Sequence, residues 1–151
     1  MNRLDQLTQA QGFRQKVGAI LQELESHEFE PTIVSALRNS AEQAKKIKFG
    51  YSRTKHSKHL PGPDGLARAA DIVDKRWGYD TKRFPDETRR FFLFLGRLAL
   101  VKGLGWGGLW LGARLILRAK LTKFLRDSPP PFQAGNWQDK IGWDAGHIEK
   151  L

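Results

Sequence analysis

Residues 57–73 read SKHLPGPDGLARAADIV, and the stretch changes character halfway. Up to Leu66 it is rich in Gly, Pro, His and cations, and together with residues 49–56 it is predicted to be a loop. From Ala69 the residues are apolar except for Asp71, so AADIV is predicted to be a short buried strand that ends in acidic residues. The flanking segments decide what kind of sheet it joins. Upstream, residues 30–37 (EPTIVSAL) are short and rich in β-branched side chains, with Pro31 near the start, as a strand near a sheet edge would be. Downstream, residues 142–151 close the chain as a turn and a last strand. Between the strands lie helical patterns. Leu4, Leu7, Ala10, Phe13, Val17, Ile20, Leu21 and Leu24 share one face, which predicts an opening helix over 4–24. Asn39 or Ser40 caps a short helix reaching about Lys48, with Glu42 and Gln43 in its first turn. Pro85 and Asp86 start a helix to about Lys102, stopped by Gly103 and Gly105. Residues 105–110 (GWGGLW) read as a tight turn or short strand, 111–125 as a helix whose basic face carries Arg114, Arg118, Lys120 and Lys123, and 128–136 (SPPPFQAGN) as a loop. Strands that alternate irregularly with helices predict an α+β protein rather than a doubly wound sheet.

The chain has 151 residues, 40% of them hydrophobic, which predicts one globular domain over 1–151. It has no cysteine. That excludes disulfides, a thiol nucleophile and thiolate metal ligands, so any metal must sit on His, Asp or Glu. The net charge of +10 favours polyanions: nucleic acid, anionic lipid or bacterial cell wall. A basic nucleic-acid-binding module is the alternative from a different functional class, but no helix-turn-helix, zinc-finger or RRM signature supports it. The opening MNRLDQLTQAQGF lacks the apolar run of a secretory signal. The longest uncharged part of the apolar region, residues 103–113, is too short and too rich in glycine to span a bilayer.

Chemistry has few residues to draw on. There are four histidines: His27, His56, His59 and His147. His59 lies in the loop before the AADIV strand, Asp71 within that strand and His147 at the start of the last one, so strand pairing would bring the three together. Two imidazoles and a carboxylate suit zinc, with a fourth position open for water. Asp71 interrupts an apolar strand, and a buried carboxylate needs a partner or a metal; a surface Asp–Arg pair is the other reading. Asp144 stands three residues before His147 in WDAGHIE. There it can reach a metal-bound water as general base and then acid, or simply form a turn before the glycine. Glu149 either orients a ligand from behind or makes an exposed ion pair. His56 competes as a ligand, whereas His27, beside Glu25 and Glu28, reads as a solvated helix end. Trp106, Trp110, Trp137 and Trp143 read as core or cleft walls.

Four segments in order resemble one known family. SKHLPGPDGLARAADIV resembles the S-x-H…G-x-A-x-D signature of zinc D-alanyl-D-alanine carboxypeptidases and dipeptidases, and among these the phage endolysin L-alanyl-D-glutamate peptidases. WDAGHIE resembles the same family's acidic-x-x-H signature. LRNSAEQAKKIKFGYSRTKHSKH is similar to its strand–Arg–helix passage, and GWGGLW to its W-G-G-x-W element. The resemblance implies that His59, Asp71 and His147 hold zinc and that Asp144 is the acid/base. It implies that Arg38 meets the substrate carbonyl and its developing oxyanion, and that Ser57 supports a ligand or bonds substrate. The fold implied is the small antiparallel sheet flanked by helices that these peptidases share with the Hedgehog signalling domain. The activity implied is hydrolysis of the L-Ala–D-Glu bond of the peptidoglycan stem peptide, with D-alanyl-D-alanine carboxypeptidase or dipeptidase as the alternative. It further implies a monomer that binds no nucleic acid, is made in the host cytoplasm, and acts in the periplasm or wall after release. The basic face of the 111–125 helix, by its charge, reads as a solvated face over a core stripe or as a contact with the anionic wall or an anionic membrane surface such as outer-membrane lipid. Two features depart from the family pattern. Eleven residues separate His59 from Asp71, more than is usual, and a basic insertion occupies about 111–136.

Overall fold

Strand β2 (Ala69–Asp74) is buried at all six positions, as its apolar sequence requires, and the other elements are arranged around it. The computed structural model describes residues 3–49, 57–111, 114–127, 141, 142 and 144–151. Among these, β1 (Pro31–Ser35), β2, β3 (Gly105–Trp106) and β4 (His147–Glu149) form one sheet in the order β1-β2-β4-β3. Every pairing is antiparallel. With α1 (Phe13–Ser26), α2 (Ser40–Lys48), α3 (Pro85–Val101) and α4 (Leu115–Asp127), the architecture is the expected α+β one.

One face of the sheet carries the core. Ala70, Ile72, Ile33 and Ile148 point into it together with Phe13, Val17, Ile20 and Leu24 of α1. α3 is the central helix: Phe91, Phe92, Leu93, Phe94 and Leu95 are consecutive and all buried, so its apolar surface goes well beyond a single stripe. It touches α1, β2, β3 and α4, and α4 adds Leu121 and Leu125 to the same core. No helix among the described residues is long and apolar enough to cross a membrane.

Most element boundaries lie close to their expected places. α2 begins with a capping box: the Asn39 side chain accepts from the Glu42 amide, and Glu42 accepts from the Asn39 amide. The opening helix differs. It was expected over 4–24, yet α1 starts only at Phe13, after two short 3-10 turns at Leu4–Gln6 and Ala10–Gly12. Two causes act together. Leu7 forms a parallel bridge with Ala67, and Gly12 takes a φ of 73°, which breaks helical continuity. α4 starts four residues later than expected, because Leu111 is buried after the 3-10 turn Gly107–Leu109 instead of opening the helix. The loop expected over 128–136 lies outside the described residues, as does 50–56 of the loop before Ser57.

Candidate metal centre

Strand register builds the centre. Asp71 lies opposite Ser35 of β1 on one side and His147 of β4 on the other. Side chains alternate along a strand, so while Ala70, Ile72 and Ile148 enter the core, Asp71, His147 and Glu149 share the opposite face. His59 arrives from the loop, which is latched in place by backbone bonds. The Arg38 amide donates to the His59 carbonyl at 2.8 Å and the Arg68 amide to the Lys58 carbonyl at 2.8 Å. The Ser57 hydroxyl accepts from the His59 amide at 3.1 Å. Ser57 therefore shapes the turn that presents His59.

The three expected ligands converge. His59 Nε2 lies 3.3 Å from His147 Nδ1 and 3.3 Å from Asp71 Oδ2, and His147 Nδ1 lies 3.1 Å from Asp71 Oδ1. All three residues are buried. The remaining ring nitrogens are both held by acceptors: His59 Nδ1 donates to the Ala36 carbonyl at 2.7 Å, and His147 Nε2 donates to Glu149 Oε1 at 2.9 Å. Each ring thus turns its other nitrogen to the shared point, the arrangement by which outer partners fix metal-binding imidazoles. Tetrahedral zinc with bonds of about 2.0–2.1 Å needs ligand atoms about 3.3–3.5 Å apart; the two imidazole nitrogens stand 3.3 Å apart, and the Asp71 carboxylate offers one oxygen to each ring, at 3.3 and 3.1 Å. The residues fit a metal, and they form such a His/Asp/His group among the described residues.

Arg38 is buried and held by three side chains. Its Nη2 donates to Asp71 Oδ2 at 2.9 Å, its Nε to Ser35 Oγ and its Nη1 to Gln43 Oε1, both at 3.0 Å. Asp71 is buried, not the surface residue of the alternative reading, yet it pairs with an arginine while also facing His59 and His147. Glu149 is likewise held from two sides, by His147 and by Lys58 Nζ at 2.8 Å. Asp144 precedes His147 in a turn closed by the His147 amide donating to the Asp144 carbonyl at 3.0 Å. Its Oδ2 stands 3.7 Å from His147 Nδ1, so Asp144 forms a turn and also faces the ligand cluster.

The electrostatics separate two carboxyls. Burial would raise Asp71, but hydrogen bonds from His147 and His59, and their charges, outweigh it and hold the group far below the ordinary carboxylate range. Asp144 goes the other way. Burial, and then the negative charge of Asp71, push it up to about 6 against the pull of His147. Burial would lower His147, but Asp71 and Glu149 raise it to about 9. Burial would raise Glu149, whereas its bonds from His147 and Lys58 bring it down to about 2. Without a metal, the same pocket thus pushes two neighbouring carboxyls in opposite directions, Asp71 down and Asp144 up.

GWGGLW supports the Asp144 turn. Trp106 Nε1 donates to the Ala145 carbonyl at 2.7 Å, and a side chain at Gly107 would meet the Asp144 carbonyl. Trp110 packs on the His147 ring with centroids 4.8 Å apart. Tyr79 was missed by the sequence reading, which assigned residues 77–82 to irregular structure. Its ring stacks on Phe92, and its hydroxyl end lies against Gly146. The residue is 51% exposed overall, while burial of its hydroxyl end, with the charges of Asp71 and Asp144, pushes the phenol up. His27 is not at the site; its Nδ1 bonds the Glu23 carbonyl and its ring packs on Phe94. His56, Trp137 and Trp143 lie outside the described residues.

No family model matches the sequence, and no curated protein matches it. Among solved structures, the crystal structure of Serratia marcescens L-Ala D-Glu endopeptidase ChiX aligns over 99% of this chain and 84% of that one, at 18% identity and a TM-score of 0.52. The two chains share a fold.

Proposed function

We propose that this protein is a zinc-dependent peptidoglycan peptidase that hydrolyses the L-Ala–D-Glu bond of the stem peptide. One observation carries the reading: His59 Nε2, His147 Nδ1 and the Asp71 carboxylate meet at one buried point, with each imidazole's far nitrogen tied to an acceptor. The activity named for the similarly folded Serratia protein supports the choice of substrate.

In this mechanism His59, Asp71 and His147 hold the zinc, and Arg38 fixes the orientation of Asp71 from behind. Bound zinc supplies a Lewis acid that lowers the pKa of a water and polarises the scissile carbonyl. The Asp144 carboxylate takes a proton from the attacking water as its oxygen bonds to the carbonyl carbon. Asp144 then gives that proton to the leaving nitrogen as the C–N bond breaks, so one water is consumed and no net proton is lost. Arg38, bonded to Asp71, adds a fixed positive charge to the site in which the oxyanion develops. Glu149, itself held by Lys58, keeps the His147 ring in register. The Tyr79 hydroxyl, at the edge of the cluster, is a donor for the bound peptide.

The test is mass spectrometry of fragments released from purified peptidoglycan by zinc-loaded protein, with a chelated control. Cleavage between L-Ala and D-Glu, abolished by the chelator, is the expected result. Loss of terminal D-Ala alone would assign the chain to the carboxypeptidase alternative, and no cleavage in either sample would overturn the peptidase reading.

A further inference from the structure

Helix α4 turns two different surfaces outward and inward. Leu121 and Leu125 are buried and Leu117 and Phe124 pack beside them, so one side of the helix belongs to the core. At 100° per residue, Ala119, Lys123 and Arg126 fall in the middle of the opposite face, with Leu115 and Ile116 about 50° to either side of it at the helix start; Leu115 is 68% and Ile116 75% exposed. Cations surround this aliphatic tip. Arg118 and Lys120 flank it and Lys123 follows one turn on, all exposed. Leu115, Arg118, Ala119, Thr122, Lys123 and Arg126 line one shallow surface groove. The helix contains a single acid, Asp127, which pairs with Arg126 at its far end. Among the described residues, Arg118, Lys120 and Lys123 have no acidic partner.

We propose that this face of α4 docks on an anionic phospholipid surface, with Leu115 and Ile116 entering the headgroup layer and Arg118, Lys120 and Lys123 meeting lipid phosphates. Isolated surface leucines mean little, but Leu115 and Ile116 are adjacent and both lie on the outward half of the first turn. Two adjacent aliphatics beside cations that have no acidic partner among the described residues form the pattern of an interfacial helix. A soluble polyanion would neutralise the cations but leave Leu115 and Ile116 in water; a lipid surface satisfies both. The inference is independent of the peptidase reading, because no residue of the metal cluster takes part.

The full chain is tested by co-sedimentation with phosphatidylcholine vesicles with and without phosphatidylglycerol. Two variants accompany it, Arg118→Gln/Lys120→Gln/Lys123→Gln and Leu115→Ser/Ile116→Ser. All five side chains are exposed, and circular dichroism checks that each variant keeps its fold; the single changes Lys123→Gln and Leu115→Ser stand in for a variant that does not. The parent should bind the phosphatidylglycerol vesicles alone. Each lost cation should weaken binding about fivefold, so the triple change weakens it on the order of a hundredfold. The Leu115/Ile116 variant should bind more weakly and lose its remaining binding in salt. Absence of binding to anionic vesicles, equal binding to both vesicle types, or binding untouched by the Leu115/Ile116 change would overturn the proposal. The last outcome would leave only a charge contact open to any polyanion.

Discussion

Asp144 and His59 sit close together, yet their loss should have different consequences. On the proposed mechanism Asp144→Ala keeps all three ligands, so zinc per chain should stay at the parent level while kcat on a soluble stem peptide falls about 100- to 10,000-fold. His59→Ala removes a ligand, and metal content should fall with activity; atomic absorption on the purified variants separates the two. Tyr79→Phe removes a hydroxyl and leaves the stack on Phe92. It should lower kcat/KM about tenfold without moving zinc content or melting temperature. Away from the site, Asp74 accepts from the Glu30 amide and from three nitrogens of Arg76, at 2.8–2.9 Å. Burial would raise it, but the bonds from Arg76 and Glu30 outweigh that and hold it below 3.8. A carboxyl depressed in the folded state stabilises the fold at every pH above its ordinary 3.8, and that contribution is lost as pH falls through the lower folded value. Asp74→Ala should therefore cost about 2 kcal/mol near neutral pH, and urea melts should show the gap to the parent closing once the pH drops below 3.8. At this scale the sequence was informative where residue types were scarce: with no cysteine and four histidines, few ligand sets were available. It was silent on Tyr79 and on the Lys58–Glu149 pair, whose partners lie far away along the chain and follow no local spacing.

Elements were legible in proportion to the local chemistry that ends them. α2 has its capping box and α3 its Pro85, and both start where those residues place them. α1 shows the limit: Leu4, Leu7 and Ala10 continue its periodicity, but the bridge from Leu7 to Ala67 joins that segment to the strand lead-in instead. β3 is two residues long, shorter than any alternation can reveal, and it was read as either a turn or a strand. Together with the turn after it, this short element holds Asp144 in place. A Cβ at Gly107 would lie 2.1 Å from the Asp144 carbonyl oxygen, closer than any relaxation of a side chain could relieve, so the Asp144 backbone itself must move. Gly107→Ala should lower kcat about tenfold or more, because small displacements of a catalytic group are costly. It should also lower the melting temperature, since backbone atoms are forced apart. A variant with unchanged kcat would show that the Gly107 contact does not position Asp144.

For the molecule as a whole, the α+β class followed from the irregular alternation of strand and helix patterns, but the sheet order β1-β2-β4-β3 did not. Nothing local tells β2 to pair with a strand that begins 76 residues after Asp71; that pairing depends on a core completed by Ile148, Ile72 and α3. The same long connection would give a bound metal leverage on stability. His59, Asp71 and His147 come from a loop, a central strand and the last strand, and only the folded chain brings their atoms within 4.8 Å of one another. A metal that binds this arrangement and not the unfolded chain stabilises the fold by mass action, about 2.7 kcal/mol at a hundredfold excess over Kd. For a chain of this length that corresponds to about 5–10 °C in melting temperature. Zinc-loaded protein should therefore melt about 5–10 °C above the chelated form, and the difference should vanish in His59→Ala, which has lost a ligand, while surviving in Asp144→Ala, which has not. Because the measurement needs no substrate, it tests the ligand set independently of the proposed activity. A chelator that left the melting temperature of the parent unchanged would mean that the cluster is a hydrogen-bonded trio of buried side chains rather than a metal centre.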